Sequence, residues 1–184
     1  MKRNIEVKAR CRDLSRAEAI CRRAGALHVW TRRQTDVHFA VPDGRLKLRI
    51  EQPGEATLVR YRRANVAEIR DSHYELLPVP DAEDTLRGLE ARHGSCARVQ
   101  KERALYMMEN VRIHLDEVEG LGTFIELEAV MDGVESDTGA LALLQRLLAE
   151  LGVAPEDILS QSYGDMQPRQ GAKPSDMASC PPAE

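Results

Sequence analysis

An α+β fold built on an antiparallel sheet is predicted by three features of this sequence. Polar and apolar residues alternate with period two in several segments, the mark of strands with two unlike faces. These segments follow one another in runs broken by turn residues, whereas a parallel sheet would alternate strands with helices. Capped helical patterns interrupt the runs at only three main places.

The first strand is residues 4–11, where Ile5, Val7, Ala9 and Cys11 alternate with Asn4, Glu6, Lys8 and Arg10. Asp13 or Ser15 caps the helix that follows. Ser15-x-x-Glu18 reads as a capping box, and Gly25 stops the helix. A strand near 28–40 ends at the turn Pro42-Asp43-Gly44. Arg45 to Glu51 then sets Arg45, Lys47, Arg49 and Glu51 against Leu46, Leu48 and Ile50. Gln52-Pro53-Gly54 is another turn, followed by strands over Thr57–Arg63 and Ser72–Val79. Asp81 caps a second helix that runs to about His93 and ends at Gly94. Further strands fall at about 97–108, 111–118 and 123–131. A third helix begins near Asp137 and runs to Gly152. Its Leu144, Leu147, Leu148 and Leu151 share a face that needs a partner surface. Pro155 opens a short helix at its first position. Residues 1–166 read as one domain. Residues 167–184, with Pro168, Pro174, Pro181 and Pro182 among small polar residues, read as a flexible tail.

Composition narrows the function. Among 184 residues the net charge is −4 and aromatics make up 4%, which argues against broad nucleic-acid contact. No apolar stretch is long enough to span a bilayer, and residues 1–6 contain no signal-peptide core. Cys11, Cys21, Cys96 and Cys180 form no CxxC pair and no zinc spacing. These features fit a reduced cytoplasmic protein with no membrane partner.

The polar strand faces carry charge in an unusual distribution. Lys47 and Arg49 share a face, as do Arg60 and Arg62, and Lys101 and Arg103. Glu126 and Glu128 share another, Glu6 and Lys8 sit together on the first strand, and Asp116 lies on the polar side with Arg112 and His114. A solvated sheet face with weak cross-strand ion pairs accounts for this pattern in the simplest way. A polar interior of a closed sheet is the sharper reading. Burying so many charges costs several kcal/mol per ion unless they are compensated. A polyphosphate with a divalent metal compensates both signs, because Arg and Lys hold phosphate and carboxylates hold Mg²⁺ or Mn²⁺.

Asn4-Ile5-Glu6-Val7-Lys8 resembles the N-terminal ExExK motif of the CYTH superfamily, the triphosphate tunnel metalloenzymes. The likeness continues in order through His38-Phe39, Gly44 to Arg49, Arg60-Tyr61-Arg62, Ser72 to Glu75, Lys101-Glu102-Arg103, Arg112 to Asp116, Gly122 to Glu128 and Ser162 to Asp165. The resemblance implies a closed antiparallel eight-stranded β-barrel, a triphosphate tunnel, with helices packed outside. It also implies a metal-dependent enzyme acting on a nucleotide or inorganic triphosphate. Class IV adenylyl cyclase chemistry leads, with triphosphatase activity and a non-catalytic triphosphate sensor as alternatives. By resemblance, Lys8, Lys47, Arg49, Arg60, Arg62, Lys101 and Arg103 grip the triphosphate. Glu6, Asp116, Glu126 and Glu128 hold Mg²⁺ or Mn²⁺, and Glu6, Lys8 and Arg103 act in catalysis. Arg112 and Glu75 are secondary candidates for the same cavity. Resemblance to the cyclases also implies a homodimer.

One departure matters: the first Glu of the motif is Asn4 here. An amide oxygen can ligate a hard cation but adds no negative charge, so one metal position is weakened. Packing is the expected role of Phe39 and Trp30, and hydrogen bonding within the tunnel wall that of His114. Tyr163 caps the tunnel or closes the fold. Arg22-Arg23 and Arg32-Arg33 read as solvated faces.

Overall fold

The computed structural model describes residues 1–133 and 136–167. Its elements are β1 (Lys2–Arg10), α1 (Leu14–Arg23), β2 (Leu27–Phe39), β3 (Arg45–Gln52), β4 (Ala56–Arg63), β5 (Arg70–Val79) and α2 (Ala82–His93). Then come β6 (Ser95–Met108), β7 (Val111–Val118), β8 (Gly122–Met131), α3 (Asp137–Glu150), a 3₁₀ turn at Pro155–Asp157 and α4 (Tyr163–Met166). The strands close into a barrel in the order β1-β5-β4-β3-β2-β6-β7-β8, with β8 pairing back to β1. Every pairing is antiparallel. The expected tail over 167–184 lies, apart from its first residue, outside the described residues. Among the described residues no helix is long and apolar enough to cross a membrane.

The barrel is inside out. Strand alternation turns Ile5, Val7, Ile113, Leu115, Ile125 and Leu127 outward, where they pack with Ala17 and Cys21 of α1 and Ala140, Leu143, Leu144 and Leu147 of α3. Leu148 and Leu151 flank the same cluster, so the leucine face of α3 finds the partner it needs. Burying one such leucine is worth about 1.5–3 kcal/mol. A second outer layer sets Val37, Phe39 and Leu48 under Leu86 and Leu89 of α2. Phe39 is therefore a packing residue, as the sequence predicts. Apolar stabilisation thus resides outside the barrel and leaves the opposite strand faces free to carry charge.

The cap of α1 differs in detail from expectation. Asp13 accepts from the Arg16 amide, and Ser15 lies within the helix. The Asp side chain one residue ahead of Leu14 reaches the free amides first, so the Ser15 capping box does not form. Asp81 caps α2 as expected. A short C-terminal segment plugs one end of the barrel. The Leu159 amide donates to the Lys8 carbonyl at 2.8 Å. Ser162 and Asp165 form a reciprocal capping box on α4, and Arg45 of β3 clamps Asp165. The Tyr163 ring packs against Phe124 with centroids 4.9 Å apart.

Candidate functional site

The barrel encloses a cavity of about 250 Å³. Its wall includes Asn4, Glu6 and Lys8 of β1, Asp36 and His38 of β2, Lys47 and Arg49 of β3, Lys101 and Arg103 of β6, and Glu126 and Glu128 of β8. Five of the seven basic residues expected to face the tunnel do so. Register places the charges: on β1 and β8, Glu6 lies opposite Glu128 and Lys8 opposite Glu126. On β7 and β8, His114 lies opposite Glu126 and Arg112 opposite Glu128.

Arg60 and Arg62 correct the expectation. In β4, Val59 is the register partner of Lys47, so Val59, Tyr61 and Arg63 face inward and Arg60 and Arg62 face outward. Both are about half exposed, at 50% and 54%, and pair with Asp43. Arg63 takes their place inside, with Arg70 of β5 beside it. Both approach Glu6 at 3.5 Å. Glu75 pairs in register with Arg60 and also faces outward.

Asp116 also departs from expectation. Both its oxygens are taken by the Arg103 guanidinium at 2.6 Å, and Tyr163 donates to one of them at 2.7 Å. It is fully buried and lies behind Arg103, not on the cavity wall. Burial opposes its ionisation, yet Arg103 holds its pKa far below the usual range. It orients a cation, with Arg103 and Tyr163 engaging its oxygens.

Asp36 is the residue that sequence reasoning missed. It accepts from Lys47 at 2.9 Å, from Arg49 at 2.8 and 3.1 Å, and from Lys101 at 2.8 Å. Burial disfavours its charge, but Arg49, Lys101 and Lys47 keep it ionised well below the ordinary range. Burial and Arg49 depress Lys47 to about 8, against the pull of Asp36. Burial also depresses Lys101, again opposed by Asp36.

The remaining carboxylates face the cavity. Glu126 accepts from Lys8 at 2.8 Å and Arg103 at 2.7 Å. These two cations overcome burial and hold its pKa well down. Glu6 is raised by burial and by the charges of Glu126 and Glu128, more than Arg63 and Arg70 offset. Asn4 donates to Glu128 at 3.3 Å, while its Oδ1 is buried without a hydrogen bond. That orphaned oxygen, beside the carboxylates of Glu6 and Glu128, fits a hard divalent cation. Among the described residues no three His, Cys, Asp or Glu side chains converge tightly enough to hold an ion alone.

His114 lies among these groups with Nε2 3.4 Å from a Glu128 oxygen, and burial and Arg103 lower its pKa. Trp30 is a cavity residue, not core packing. It lines the end opposite α4 with Leu76 and Leu105, and the Arg32 guanidinium lies 5.0 Å from its ring. Arg32 shares the inward parity of Trp30 and Gln34 and pairs with Glu51 at 2.5 Å, so it is not a solvated face. Tyr163 serves both roles expected of it. It closes the α4 end, and Lys8 lies over its ring at 3.7 Å.

A closed barrel with an apolar outside and a cationic, carboxylate-lined inside defines the triphosphate tunnel class of fold. The CYTH domain model matches residues 2–163, and the chain belongs to that family. It is 22% identical over 170 residues to a protein of Methanocaldococcus jannaschii named "Putative adenylate cyclase", covering 89% of this chain and 97% of that one. The structure of the PH1012 protein of Pyrococcus horikoshii superposes with a TM-score of 0.78 at 22% identity, covering 88% and 98% of the two chains. A Hippeastrum protein, named as a putative adenylyl cyclase with a dominant triphosphatase activity, superposes with a TM-score of 0.61 at 18% identity, covering 89% and 92%.

Proposed function

We propose that this chain is a metal-dependent enzyme that breaks a phosphorus–oxygen bond in a triphosphate held inside the barrel, with ATP cyclisation to cyclic AMP and pyrophosphate as its leading reaction. One observation carries the reading: Lys8, Lys47, Arg49, Lys101 and Arg103 converge on a cavity whose wall also presents Glu6, Glu126 and Glu128. Such a concentration of buried charge is stable as a site for a polyanion and costly as mere scaffold. The terminal phosphate lies toward the closed α4 end, among Lys47, Lys101 and Lys8. The organic end lies toward Trp30, Leu76 and Leu105, which favours a nucleotide over inorganic tripolyphosphate.

A divalent cation held by Glu6, Glu126 and Glu128 would neutralise phosphate charge and polarise the reacting phosphoryl group. The chain's own cations fix the triphosphate for in-line attack and stabilise the charge gathering on the leaving pyrophosphate. In cyclisation the ribose 3′ oxygen bonds to the α-phosphorus, the α–β bridging bond breaks, and the hydroxyl proton leaves. His114, kept neutral by burial and Arg103 and with Nε2 beside Glu128, has the chemistry to accept that proton.

Hydrolysis is the second reading. The same grip serves a water attacking the terminal phosphorus. The Hippeastrum neighbour is named for triphosphatase activity. One assay tests the proposal: purified protein with ATP, thiamine triphosphate or tripolyphosphate, each with Mg²⁺ or Mn²⁺, and all products separated. Cyclic AMP with pyrophosphate supports cyclisation, and orthophosphate supports hydrolysis. Binding without turnover makes the protein a triphosphate sensor, and absence of binding refutes the reading.

A further inference from the structure

We propose that Asp36 is a positioning residue, a built-in counter-anion that stands behind Lys47, Arg49 and Lys101 and presents their remaining donors to a phosphoryl group as one preassembled fan. The inference rests on the triphosphate reading and goes beyond it by assigning a task to a residue that does not touch the ligand.

The geometry divides the tunnel's carboxylates into two kinds. Asp36 and Asp116 are 2% and 0% exposed, and cations occupy both oxygens of each. Glu126 and Glu128 retain more exposure, 12% and 17%, and face the cavity. Asp36 gathers cations from two strands that are not neighbours of each other. Lys47 and Arg49 come from β3 and Lys101 from β6, and β2 lies between. Each cation gives Asp36 only part of its donor set. An ammonium has three N–H groups and a guanidinium five, so donors remain for a ligand on the cavity side. Arg49 uses Nε and Nη2 on Asp36, which fixes the plane of its fork.

The arrangement also controls charge. Besides the three cations, Asp36 shares its surroundings with Gln34 and His38 of its own strand and Arg103 of β6, while Tyr163 of α4 lies 5.5 Å from the Lys101 ammonium. Arg103 and Arg49 both push protons off Lys101, and Asp36 opposes them. At Lys47, Asp36 opposes burial and Arg49 in the same way. Without that anion, the two lysines give up protons more readily, and phosphate binding becomes more strongly coupled to proton uptake.

Two measurements on the full chain test this. In the first, tripolyphosphate affinity is followed from pH 6.5 to 8.5 for wild type and Asp36→Asn. The variant's affinity should fall more steeply, by about one extra decade per pH unit for each added linked proton. Calorimetry in two buffers of different ionisation enthalpy should show the matching extra proton uptake. Parallel pH curves, whatever their offset, would overturn the proposal. The second measurement needs only wild type, so it decides the matter even if the variant does not fold. In a crystal structure with tripolyphosphate, the Asp36 carboxylate should keep all three cations, with phosphate oxygens on their cavity side. A carboxylate turned away and replaced by phosphate would make Asp36 a placeholder and refute the positioning role. If wild type binds no tripolyphosphate or ATP, the functional reading itself fails and this inference fails with it. Binding with either contrary result refutes the inference alone.

Discussion

The Lys8 ammonium lies 3.7 Å from the centre of the Tyr163 ring. This contact joins the first strand to the last described helix and ties the C-terminal plug to the cationic wall of the cavity. The ring supplies a cation–π surface while the hydroxyl ties Asp116 in place. Tyr163→Phe should keep the ring and lose one hydrogen bond to a charged group, costing about 1.5–3 kcal/mol of stability. Tyr163→Leu should lose both and also weaken triphosphate binding. Thermal melts and titration with a triphosphate separate the two effects. Equal binding losses for Phe and Leu would assign the contribution to the hydroxyl.

The outward placement of Arg60 and Arg62 gives a sharp contrast. Arg60→Ala with Arg62→Ala should leave triphosphate affinity unchanged, because both side chains pair with Asp43 on the outer face. Arg49→Ala should weaken binding by about 2–3 kcal/mol, the worth of a desolvated charge-assisted contact. Calorimetric titration of the two proteins reads the difference. A large loss from the outer pair would return those residues to the tunnel.

That contrast also shows what was legible in the sequence. Strand alternation located the eight strands because each separates a charged face from an apolar one. It could not say which face of β4 points inward, since Arg60 and Arg62 stand on one parity and Arg63 on the other. Leu58 held the missing clue. It shares the parity of Arg60 and Arg62 and packs in the outer apolar layer under α2. Asp36 was illegible for another reason. Its partners lie 11, 13 and 65 residues away, on two strands, and only the closed barrel brings them together. Asp116 was placed correctly on the polar face, but the distinction between ligating a metal and backing an arginine is a matter of hydrogen bonds that no spacing encodes.

Glu126 stands between Lys8 and Arg103 on one side and the cavity on the other. Glu126→Gln keeps the shape and removes the charge. The Mg²⁺ or Mn²⁺ concentration giving half-maximal activity should rise at least about tenfold, a loss of roughly 1.4 kcal/mol in metal affinity. An unchanged metal titration would remove Glu126 from the metal site.

His38 sets part of the acid stability. Burial and the neighbouring Lys47 lower its pKa to about 3 from the ordinary 6.5. The folded state therefore keeps it neutral while the unfolded chain takes a proton below 6.5. The stability it contributes is fully present above pH 6.5 and is lost as pH falls toward 3. The slope is about 1.4 kcal/mol per pH unit for one such proton. His38→Gln should flatten urea-derived stability between pH 6.5 and 5 by up to that slope. His114, lowered in the same direction, keeps its own contribution in both proteins. Identical slopes would show that His38 is protonated in the fold. The same ring explains why Gly164 cannot be enlarged freely: a Cβ there would meet His38 at 3.0 Å.

Asn4 decides how much charge the carboxylate side of the tunnel carries. Its amide donates to Glu128, and its Oδ1 has no hydrogen-bond partner. Asn4→Glu replaces that donor with a third anion beside Glu6 and Glu128, where Glu6 is already pushed toward protonation by its acidic neighbours. Without metal, the variant should melt below wild type, since a like charge is added and a hydrogen bond lost in a buried place. With saturating Mn²⁺ the order should reverse, because a hard cation gains a charged oxygen where it had an amide. The diagnostic quantity is the metal-induced rise in Tm, larger in Asn4→Glu than in wild type, read alongside turnover in the product assay. A larger rise together with higher turnover makes the natural Asn4 a residue that attenuates an enzyme. A larger rise with unchanged turnover makes the amide oxygen an adequate ligand. An equal rise places the metal away from the start of β1 and removes Asn4 from the site.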